Sequence, residues 1–349
     1  MGLPRRLLTT VLVAGALGSA STRPVGAGVS GLLPARWEAR FTLGHDSNLL
    51  DISDFEQATF GIPGTSTFFA VDRLSDQFGE GEAEAEWRAD DLGGRPRLRL
   101  SWERRQYLHN PIKSEDHLTL GLRLRPAGSS RVDLKAEYRP QVYVRHRLDS
   151  GALPGEPLFR PEVYERGDLE LDVHQPWGKS TAAEVLVLGS KRRYDGPFEG
   201  RDRETFGGGG ALERTLSKNL VVRGGAEYRA TWTENDPGDP DDRSYRDWRA
   251  VAGIALAEVP LLETVTLDLE LVWRRFTSTN PDDQDHYGRR DQGGEAELEV
   301  TRRLSRAFSW VSNGILRWRD SNFPETAFDE EGVLQDSELR TGIAWEWQR

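Results

Sequence analysis

Charged side chains recur at every second position in several stretches of this chain. The stretch 78–87 carries a glutamate at each alternate position from Glu80 to Glu86, and Arg97 and Arg99 repeat the spacing. Alternate residues of a β-strand lie on one face. A face of charges cannot form an apolar core, because each group would lose its hydration. These faces therefore require water or oppositely charged neighbours, and the chemistry that they indicate is electrostatic.

Histidines suggest a second kind of chemistry. Those that fall near one end of the predicted strands are His45, His109, His117, His146 and His286. Hydrolysis of lipid or peptide would need a serine held against such a base, with a third group that orients the base. No serine has a sequence context of this kind, so we predict that the protein is not an enzyme.

Two Asp-rich segments, 235–242 and 281–285, contain the oxygen ligands that calcium prefers. Neither has the spacing of a recognised calcium loop, and acidic segments rich in Pro and Gly are usually solvated. We predict no metal and no cofactor.

Composition narrows the class of protein. Of 349 residues, 30% are charged and 37% hydrophobic, which is too polar for a helical membrane protein. The 11 tryptophans and 36 glycines are nevertheless unusual for a soluble acidic protein. There is no cysteine, which excludes disulfides, thiolate metal sites and a lipoprotein anchor. The net charge of -11 argues against nucleic acid as a partner.

The N-terminus has the features of an export signal. Arg5 and Arg6 are followed by an apolar stretch, 7–17, and by a small-residue cleavage site ending at Ala20. We predict a cleaved signal peptide over 1–20 and a short periplasmic lead-in over 21–34.

The remainder, 35–349, reads as strands of alternating polarity. The predicted strands lie near 37–43, 78–87, 97–108, 117–125, 132–145, 163–174, 181–193, 203–214, 219–233, 246–258, 264–277, 292–303, 307–319 and 336–347. Strands that show lipid only at every second residue keep the mean hydropathy low while one face stays apolar. This pattern predicts an all-β protein: a transmembrane, antiparallel, up-and-down β-barrel of about 14 strands.

The connections between these strands alternate between short and long. Outer-membrane barrels have short periplasmic turns and long external loops, so the alternation places both termini in the periplasm. Tryptophans cluster at both predicted ends of the strands, as in the aromatic girdles of such barrels. The predicted location is therefore the outer membrane of a Gram-negative bacterium.

The last strand resembles the C-terminal assembly signal of bacterial outer-membrane barrels. Gly342 is followed by Trp345 and Trp347, with Ile343 on the same face as both tryptophans, although Gln348 and Arg349 extend beyond the last aromatic residue. The resemblance implies that the barrel assembly machinery is a partner and that this strand closes the barrel against the first one.

A second resemblance lies at the end of the first strand. The sequence from Gly44 to Asn48, Gly-His-Asp-Ser-Asn, is similar to the Gly-Tyr-Asp-Ser-Asn motif of large barrels. These include surface-lipoprotein assembly modifiers and polysaccharide-export barrels, and here His45 replaces the tyrosine. The periplasmic repeat domain that often accompanies those barrels has no counterpart in the short lead-in.

The first long loop, 48–75, contains apolar residues such as Phe55, Phe60, Phe68 and Val71. Two accounts remain open: a constriction loop folded into the lumen, or an external lid that contacts a partner.

A run of four glycines, Gly207 to Gly210, can be explained in two ways. Curvature of the wall is favoured over close approach of another backbone.

The charges predict a field across the lumen. The basic candidates on strands three to five are Arg97, Arg99, Arg123, Arg125, Lys135 and Arg139, and the acidic ones on strands eleven and twelve are Asp268, Glu270, Glu295, Glu297 and Glu299. Strands four and eleven stand opposite each other in a closed barrel of 14, so a basic wall would face an acidic one. The alternative is local pairing, for example of the glutamates on strand two with Arg97 and Arg99.

These inferences predict an outer-membrane conduit for polar solutes, either a diffusion pore or an exporter subunit for a polysaccharide. The alternative is a non-conducting barrel whose loops scaffold a surface or envelope-spanning complex. The expected partners are outer-membrane lipids and lipopolysaccharide, together with periplasmic or surface proteins in either case.

Overall fold

The computed structural model describes residues 34–50, 60, 71, 73–89, 92–126, 130–149, 159–234, 242–283, 286–322 and 334–348. The strands are β1 (Arg36–Asp46), β2 (Asp76–Arg88), β3 (Arg97–Tyr107), β4 (Glu115–Leu124), β5 (Arg131–Leu148), β6 (Phe159–Pro176), β7 (Thr181–Tyr194), β8 (Arg203–Ser217), β9 (Leu220–Thr233), β10 (Tyr245–Ala257), β11 (Thr264–Phe276), β12 (Arg290–Arg303), β13 (Phe308–Ser321) and β14 (Leu334–Gln348). Two 3₁₀ helices, Pro111–Lys113 and Gly196–Arg201, lie in connections. The predicted signal peptide lies outside the described residues.

The fourteen strands form one closed antiparallel barrel. Each strand pairs with its neighbours in sequence, and β1 pairs with β14 to complete the circle. The prediction of an all-β barrel of 14 strands is therefore confirmed, with strand boundaries within a few residues of those expected. Among the described residues, no helix is long and apolar enough to cross a membrane.

The outer face of the wall is apolar. Side chains such as Leu100, Trp102, Leu120, Leu269 and Leu271 alternate with charged neighbours and are exposed on the outside of the barrel. The charged residues between them face the lumen, as the alternation requires. An apolar outer belt around a polar interior is the arrangement that a barrel needs in lipid.

The first residue of β1, Arg36, pairs with the last residue of β14, Gln348. The end of the barrel at which these two residues lie is here named the terminus end. The connections at the terminus end are mostly the shorter ones: 89–96, 125–130, 177–180, 218–219, 258–263 and 304–307. The opposite, or loop, end carries 47–75, 108–114, 149–158, 195–202, 234–244, 277–289 and 322–333. That the terminus end faces the periplasm stays a prediction.

One strand pair departs from regular pairing. The register of β5 against β6 shifts between Arg139 and Val142, and again between Tyr143 and Arg145. Pro140 lies at the first shift and has no N–H to donate to a ladder, which makes a bulge the favourable local solution. Near the loop end the shifted segment carries Tyr143 and Arg145, both buried.

Candidate functional site in the lumen

The terminus end of the lumen contains a chamber of about 460 Å³ between β2 and β7. Its carboxylates are Glu82, Glu84, Glu86, Glu103, Asp133, Glu137, Glu170, Asp172 and Glu184. Its cations are Arg97, Arg99, Arg123, Arg131 and Lys135. We refer to this space as the terminus-end chamber, and both signs of charge lie side by side in it.

Most of the predicted basic residues in this chamber have carboxylate partners. Arg99 lies 3.1 Å from Glu84 and 3.3 Å from Glu86, which is the cross-strand pairing that the sequence suggested. Arg97 lines the same chamber but makes no ion pair with any described residue. In this chamber the pairing between β2 and β3 therefore depends on Arg99, and nearer the loop end Arg105 of β3 pairs with Glu80 of β2 at 2.7 Å.

The remaining basic candidates divide between the wall and a turn. Arg123 donates to Asp133 at 2.6 Å, and Lys135 is paired with Glu137. Arg139 lies 4.0 Å from Glu115. Arg125 follows the last residue of β4 and lies in the connection, where its backbone N–H donates to Gly94. Arg125 is thus part of the terminus-end rim rather than of a strand.

The acidic candidates on β11 and β12 are partly engaged in the same way. Glu270 is 2.6 Å from Arg249 and Glu295 is 2.7 Å from Arg317, while Glu297 accepts a hydrogen bond from Asn313. Asp268 and Glu299 make no ion pair within the described part of the chain. Local pairing reduces the charge left for a field across the lumen, and the transverse field itself stays a prediction.

A second space near the loop end has a different lining. This loop-end cavity, of about 270 Å³, is lined by the cations Lys113, Arg145, Arg192, Arg201, Arg203, Arg243, Arg274 and Arg319. Tyr143, Tyr164, Tyr194 and Tyr245 stand among them. No carboxylate belongs to the described residues that line it. The cavity therefore presents cationic groups and phenol rings to whatever occupies it.

The tyrosines hold the arginines in place. The Arg274 guanidinium lies 4.0 Å from the centre of the Tyr245 ring, and that of Arg192 lies 5.0 Å from the centre of the Tyr164 ring. Such stacking is favourable and leaves the edge of the guanidinium available to donate. Arg192 and Arg203 occupy directly opposed positions on β7 and β8, where like charges repel.

Two carboxylates that compensate these cations lie outside the described lining of the cavity. Glu162, only 1% exposed, binds Arg147 at 3.0 Å and also binds Arg201. Asp247, also 1% exposed, lies 3.0 Å from Arg249 and 3.8 Å from Arg274. Asp247 lines a neighbouring space of the lumen that shares Arg274 with this cavity. The described lining of the loop-end cavity is therefore cationic, while its counter-charges lie beside it.

The 3₁₀ helix Gly196–Arg201 ends in Arg201, one of the cations that line the loop-end cavity. Burial lowers the pKa of the Arg201 guanidinium to about 9, and repulsion by Arg243 and Arg147 adds to the shift. The attraction of Glu162 offsets it only in part. An anion in the cavity would relieve this repulsion.

The described ends of the first long loop fold onto the inner wall. Leu49, Leu50 and Val71 are buried and pack in one cluster with Phe78, Tyr107 and Tyr143, which are inward residues of β2, β3 and β5. Phe60 packs against the same cluster. This placement agrees with a constriction loop, whereas Phe55 and Phe68 lie outside the described residues.

The glycine run of β8 makes room for lumen side chains. A Cβ at Gly209 would approach the Glu227 side chain to 2.6 Å, and one at Gly207 would approach Arg229 to 2.8 Å. These neighbours belong to β9, the next strand of the sheet, so they do not test whether another backbone approaches the wall. The role of the run in curvature stays a prediction.

The histidines have partners other than serine. His109 lies 2.8 Å from Asp76, His117 lies 3.2 Å from Glu137, and His286 is buried 3.0 Å from Asp283. His146 contacts the Tyr143 hydroxyl at 2.8 Å. Among the described residues, no group of three or more His, Asp or Glu side chains is placed to hold a metal ion. Absence of enzymatic activity stays a prediction.

The closing strand occupies the place that its resemblance implied. Gly342 is opposite Thr42 of β1, and a Cβ there would lie 2.1 Å from the Phe41 carbonyl oxygen. Trp345 faces outward and is 39% exposed. Trp347 pairs with Trp37, but its side chain lies outside the described residues. The function of these residues as an assembly signal remains a prediction.

Sequence reasoning missed most of the loop-end cavity. It did not associate Arg145 and Arg274 with Arg192, Arg203 and Tyr245. The usable signal was an arginine or tyrosine at the strand end next to some of the long loops. Such a residue ends or begins β7, β8 and β10.

Comparisons with known proteins are distant. No protein-family model and no curated protein matches the sequence. A structure described as a bacterial polysaccharide outer membrane secretin aligns over 89% of this chain and 98% of its own, at 8% identity and a TM-score of 0.40. A Pseudomonas aeruginosa FadL homologue covers 90% and 91%, at 8% identity and 0.40. An anion-selective porin from Comamonas acidovorans covers 89% and 98%, at 8% identity and 0.39. Likenesses this remote carry no argument about function.

The class of the protein follows from its own architecture. A closed barrel leaves no backbone group unpaired in lipid, and its even strand number, apolar outer face and charged lumen are those of bacterial outer-membrane proteins. The chain is a transmembrane β-barrel of the bacterial outer membrane.

Proposed function

We propose that the protein is an outer-membrane conduit for polar solutes and that it favours anionic ones, acidic saccharides in particular. The observation that carries this proposal is the loop-end cavity, with eight cations, four phenol rings and no carboxylate among its described lining residues. The conduit works as a diffusion pore or as the outer-membrane subunit of an exporter.

The lining chemistry suits acidic saccharides for two reasons. Guanidinium groups bind carboxylates and sulfates through paired, charge-assisted hydrogen bonds. Aromatic rings offer flat surfaces for the C–H faces of sugars, as in many mostly apolar ligand sites with a few placed polar groups. Neutral or apolar solutes would gain neither interaction.

The alternative function is a non-conducting barrel that scaffolds a surface complex. The observation in its favour is the apolar cluster of Leu49, Leu50 and Val71 on Phe78, Tyr107 and Tyr143, which narrows one side of the lumen. In that case the loops would carry contacts with partner proteins, and the lumen charges would only stabilise the wall.

Planar-bilayer recordings with the purified protein separate the two functions. A conduit should show discrete conductance steps and a reversal potential that reports preference for chloride over potassium in a salt gradient. An acidic oligosaccharide added to the loop-end side should reduce the current more than a neutral one of equal length. A folded barrel without conductance would contradict the proposal and support the scaffold.

A further inference from the structure

Three arginines stand side by side on the outer wall near the loop end. Arg246 of β10 is directly opposite Arg275 of β11, which is directly opposite Arg290 of β12. All three side chains are exposed, and none makes an ion pair with another described residue. Opposed residues in a sheet are only about 5 Å apart. Like charges at that spacing repel, so this arginine row is favourable where an anion lies against it.

Other outward cations at the same end are neutralised. They pair with outward carboxylates on a neighbouring strand, and the pairs are Arg104 with Asp116 at 2.9 Å, Lys191 with Glu204 at 2.5 Å, and Arg193 with Glu165 at 3.6 Å. The contrast sets the arginine row apart, because the described part of the wall supplies partners elsewhere and supplies none here.

Aromatic side chains form the next layer towards the middle of the membrane. Trp248 is directly opposite Trp273, and the Tyr228 ring lies 4.7 Å from the Trp248 ring. The two tryptophans are 60% and 48% exposed. Ala250 and Leu271, two residues farther along each strand, continue the surface as a wholly apolar one. Guanidinium, aromatic and aliphatic layers thus follow the order of phosphate, interface and acyl chain in a membrane leaflet.

The guanidinium and aromatic layers line a groove of about 1270 Å³. On the neighbouring part of the wall the Trp318 ring lies over Gly294, since a Cβ at that glycine would be 2.4 Å from the ring. Two carboxylates are among the described residues that line the groove. Asp291 is bound by Arg289 at 2.9 Å, and Asp320 accepts from Gln292 at 3.4 Å. Gln292 is neutral and leaves the charge of Asp320 in place, so the three arginines of the row outnumber this carboxylate and keep a net positive charge.

We propose that this groove binds the phosphorylated headgroup of lipid A, the membrane anchor of lipopolysaccharide. Its phosphates would lie on Arg246, Arg275 and Arg290, and its acyl chains would run over Trp248 and Trp273 along the apolar wall. Guanidinium forks match phosphate oxygens, and the desolvated face of the groove strengthens the interaction. The inference uses the predicted placement of the loop end at the cell surface and is independent of what passes through the lumen.

The test measures lipid binding to purified protein in detergent by native mass spectrometry. The probes are diphosphorylated lipid A, enzymatically dephosphorylated lipid A, phosphatidylglycerol and inorganic phosphate. The variant R246Q/R275Q/R290Q removes the arginine row, and the matched variant R104Q/K191Q/R193Q removes three outward cations at the same end. Different mobilities of boiled and unboiled samples on a denaturing gel establish that each barrel is folded.

Native protein should bind diphosphorylated lipid A about tenfold more tightly than the dephosphorylated form, equivalent to 1.4 kcal/mol. The arginine-row variant should lose about that factor, while the matched variant should bind as the native protein does. Equal affinity of the native protein for both forms of lipid A would overturn the proposal. This comparison tests the proposal even if the arginine-row variant fails to fold. Equal losses in both variants would also overturn it. So would phosphatidylglycerol or inorganic phosphate binding as tightly as lipid A.

Discussion

The terminus-end chamber and the loop-end cavity use the same charged residue types in opposite arrangements. In the chamber, Arg99 and Arg123 lie against carboxylates that face the same water-filled space. In the cavity, no carboxylate belongs to the described lining, and Glu162 and Asp247 lie beside it next to its arginines. The two regions therefore differ in the ratio of carboxylates to cations.

The position of the counter-charge decides what a charged wall does. Neighbouring opposite charges cancel over a short distance and mainly hold the wall rigid and hydrated. Cations that outnumber the carboxylates around them keep a positive field that concentrates anions nearby. Among the described residues, eight cations and no carboxylate line the loop-end cavity, whereas nine carboxylates and five cations line the terminus-end chamber.

Both regions of the lumen exist only in a closed barrel. A substitution that prevents closure should therefore have the largest effect. A Cβ at Gly342 would meet backbone atoms of β1, at 2.1 Å from the Phe41 oxygen and 2.6 Å from the Thr42 Cα. Overpacking of this kind costs about 1–3 kcal/mol, so Gly342→Ala should lower the amount of heat-modifiable barrel in the membrane by about tenfold. The matched control is Gly314→Ala on β13, where nothing lies within 4 Å of the added carbon. Equal levels of the two variants would show that closure tolerates the methyl group.

Reversal of charge in the loop-end cavity should have the next largest effect. Arg192 and Arg203 face each other across β7 and β8, and the variant R192E/R203E replaces two cations by two anions at this point. We expect the chloride-to-potassium permeability ratio to fall by about tenfold, corresponding to 1.4 kcal/mol. The variant R192Q/R203Q should give an intermediate value. If both variants keep the native reversal potential, the cavity does not control permeation.

Alkaline pH should weaken anion preference through Arg201. Its folded pKa of about 9 is lowered from the usual arginine value, so the folded protein loses this positive charge as the pH rises through that range while an unfolded chain would keep it. The unfolded chain then binds more protons, so the loss of charge also raises folding stability with pH. We expect the reversal potential to shift towards zero between about pH 8 and pH 10. Arg201→Gln should show a smaller shift over the same interval, and identical shifts in both proteins would assign the effect to other groups.

Reversal of charge at the terminus end should have the smallest effect. Arg123 is already paired with Asp133, and Arg125 lies in the rim connection. The variant R123E/R125E should move selectivity towards cations by about twofold, because local pairing screens each change. This experiment also tests the transverse field: a change as large as that of R192E/R203E would favour a field between opposite walls over one at the loop end.

The fold was largely predictable from the sequence, for a physical reason. Each strand shows lipid on one face and water on the other, so a period of two runs through the chain from Trp37 to Trp345. Prolines, glycines and acidic residues interrupt that period where the chain turns. The strand count, the alternation of connection lengths and the inward placement of Arg99 or Glu270 all follow from these two local signals.

The site was less predictable, because it depends on the height of each residue along the barrel. Arg192, Arg203 and Tyr245 meet only when the registers of β7, β8 and β10 are known, and the bulge in β5 shifts Arg145 further. Ion pairs are equally hard to predict from the sequence. A charge pattern gives the sign of each wall, but only the register shows that Arg249 stands beside Glu270.

The pairing of β1 with β14 has a consequence for the time course of folding. The pairing of Arg36 with Gln348 joins residues at opposite extremes of the barrel sequence, so this seam is the least local contact among the paired strands. Contacts of this kind form slowly, and until they form two strand edges expose unpaired N–H and C=O groups. In lipid each such group is costly, so the nearly closed sheet is the species most prone to aggregate. A catalyst that shields both edges at once would accelerate folding more than one that aids any earlier hairpin.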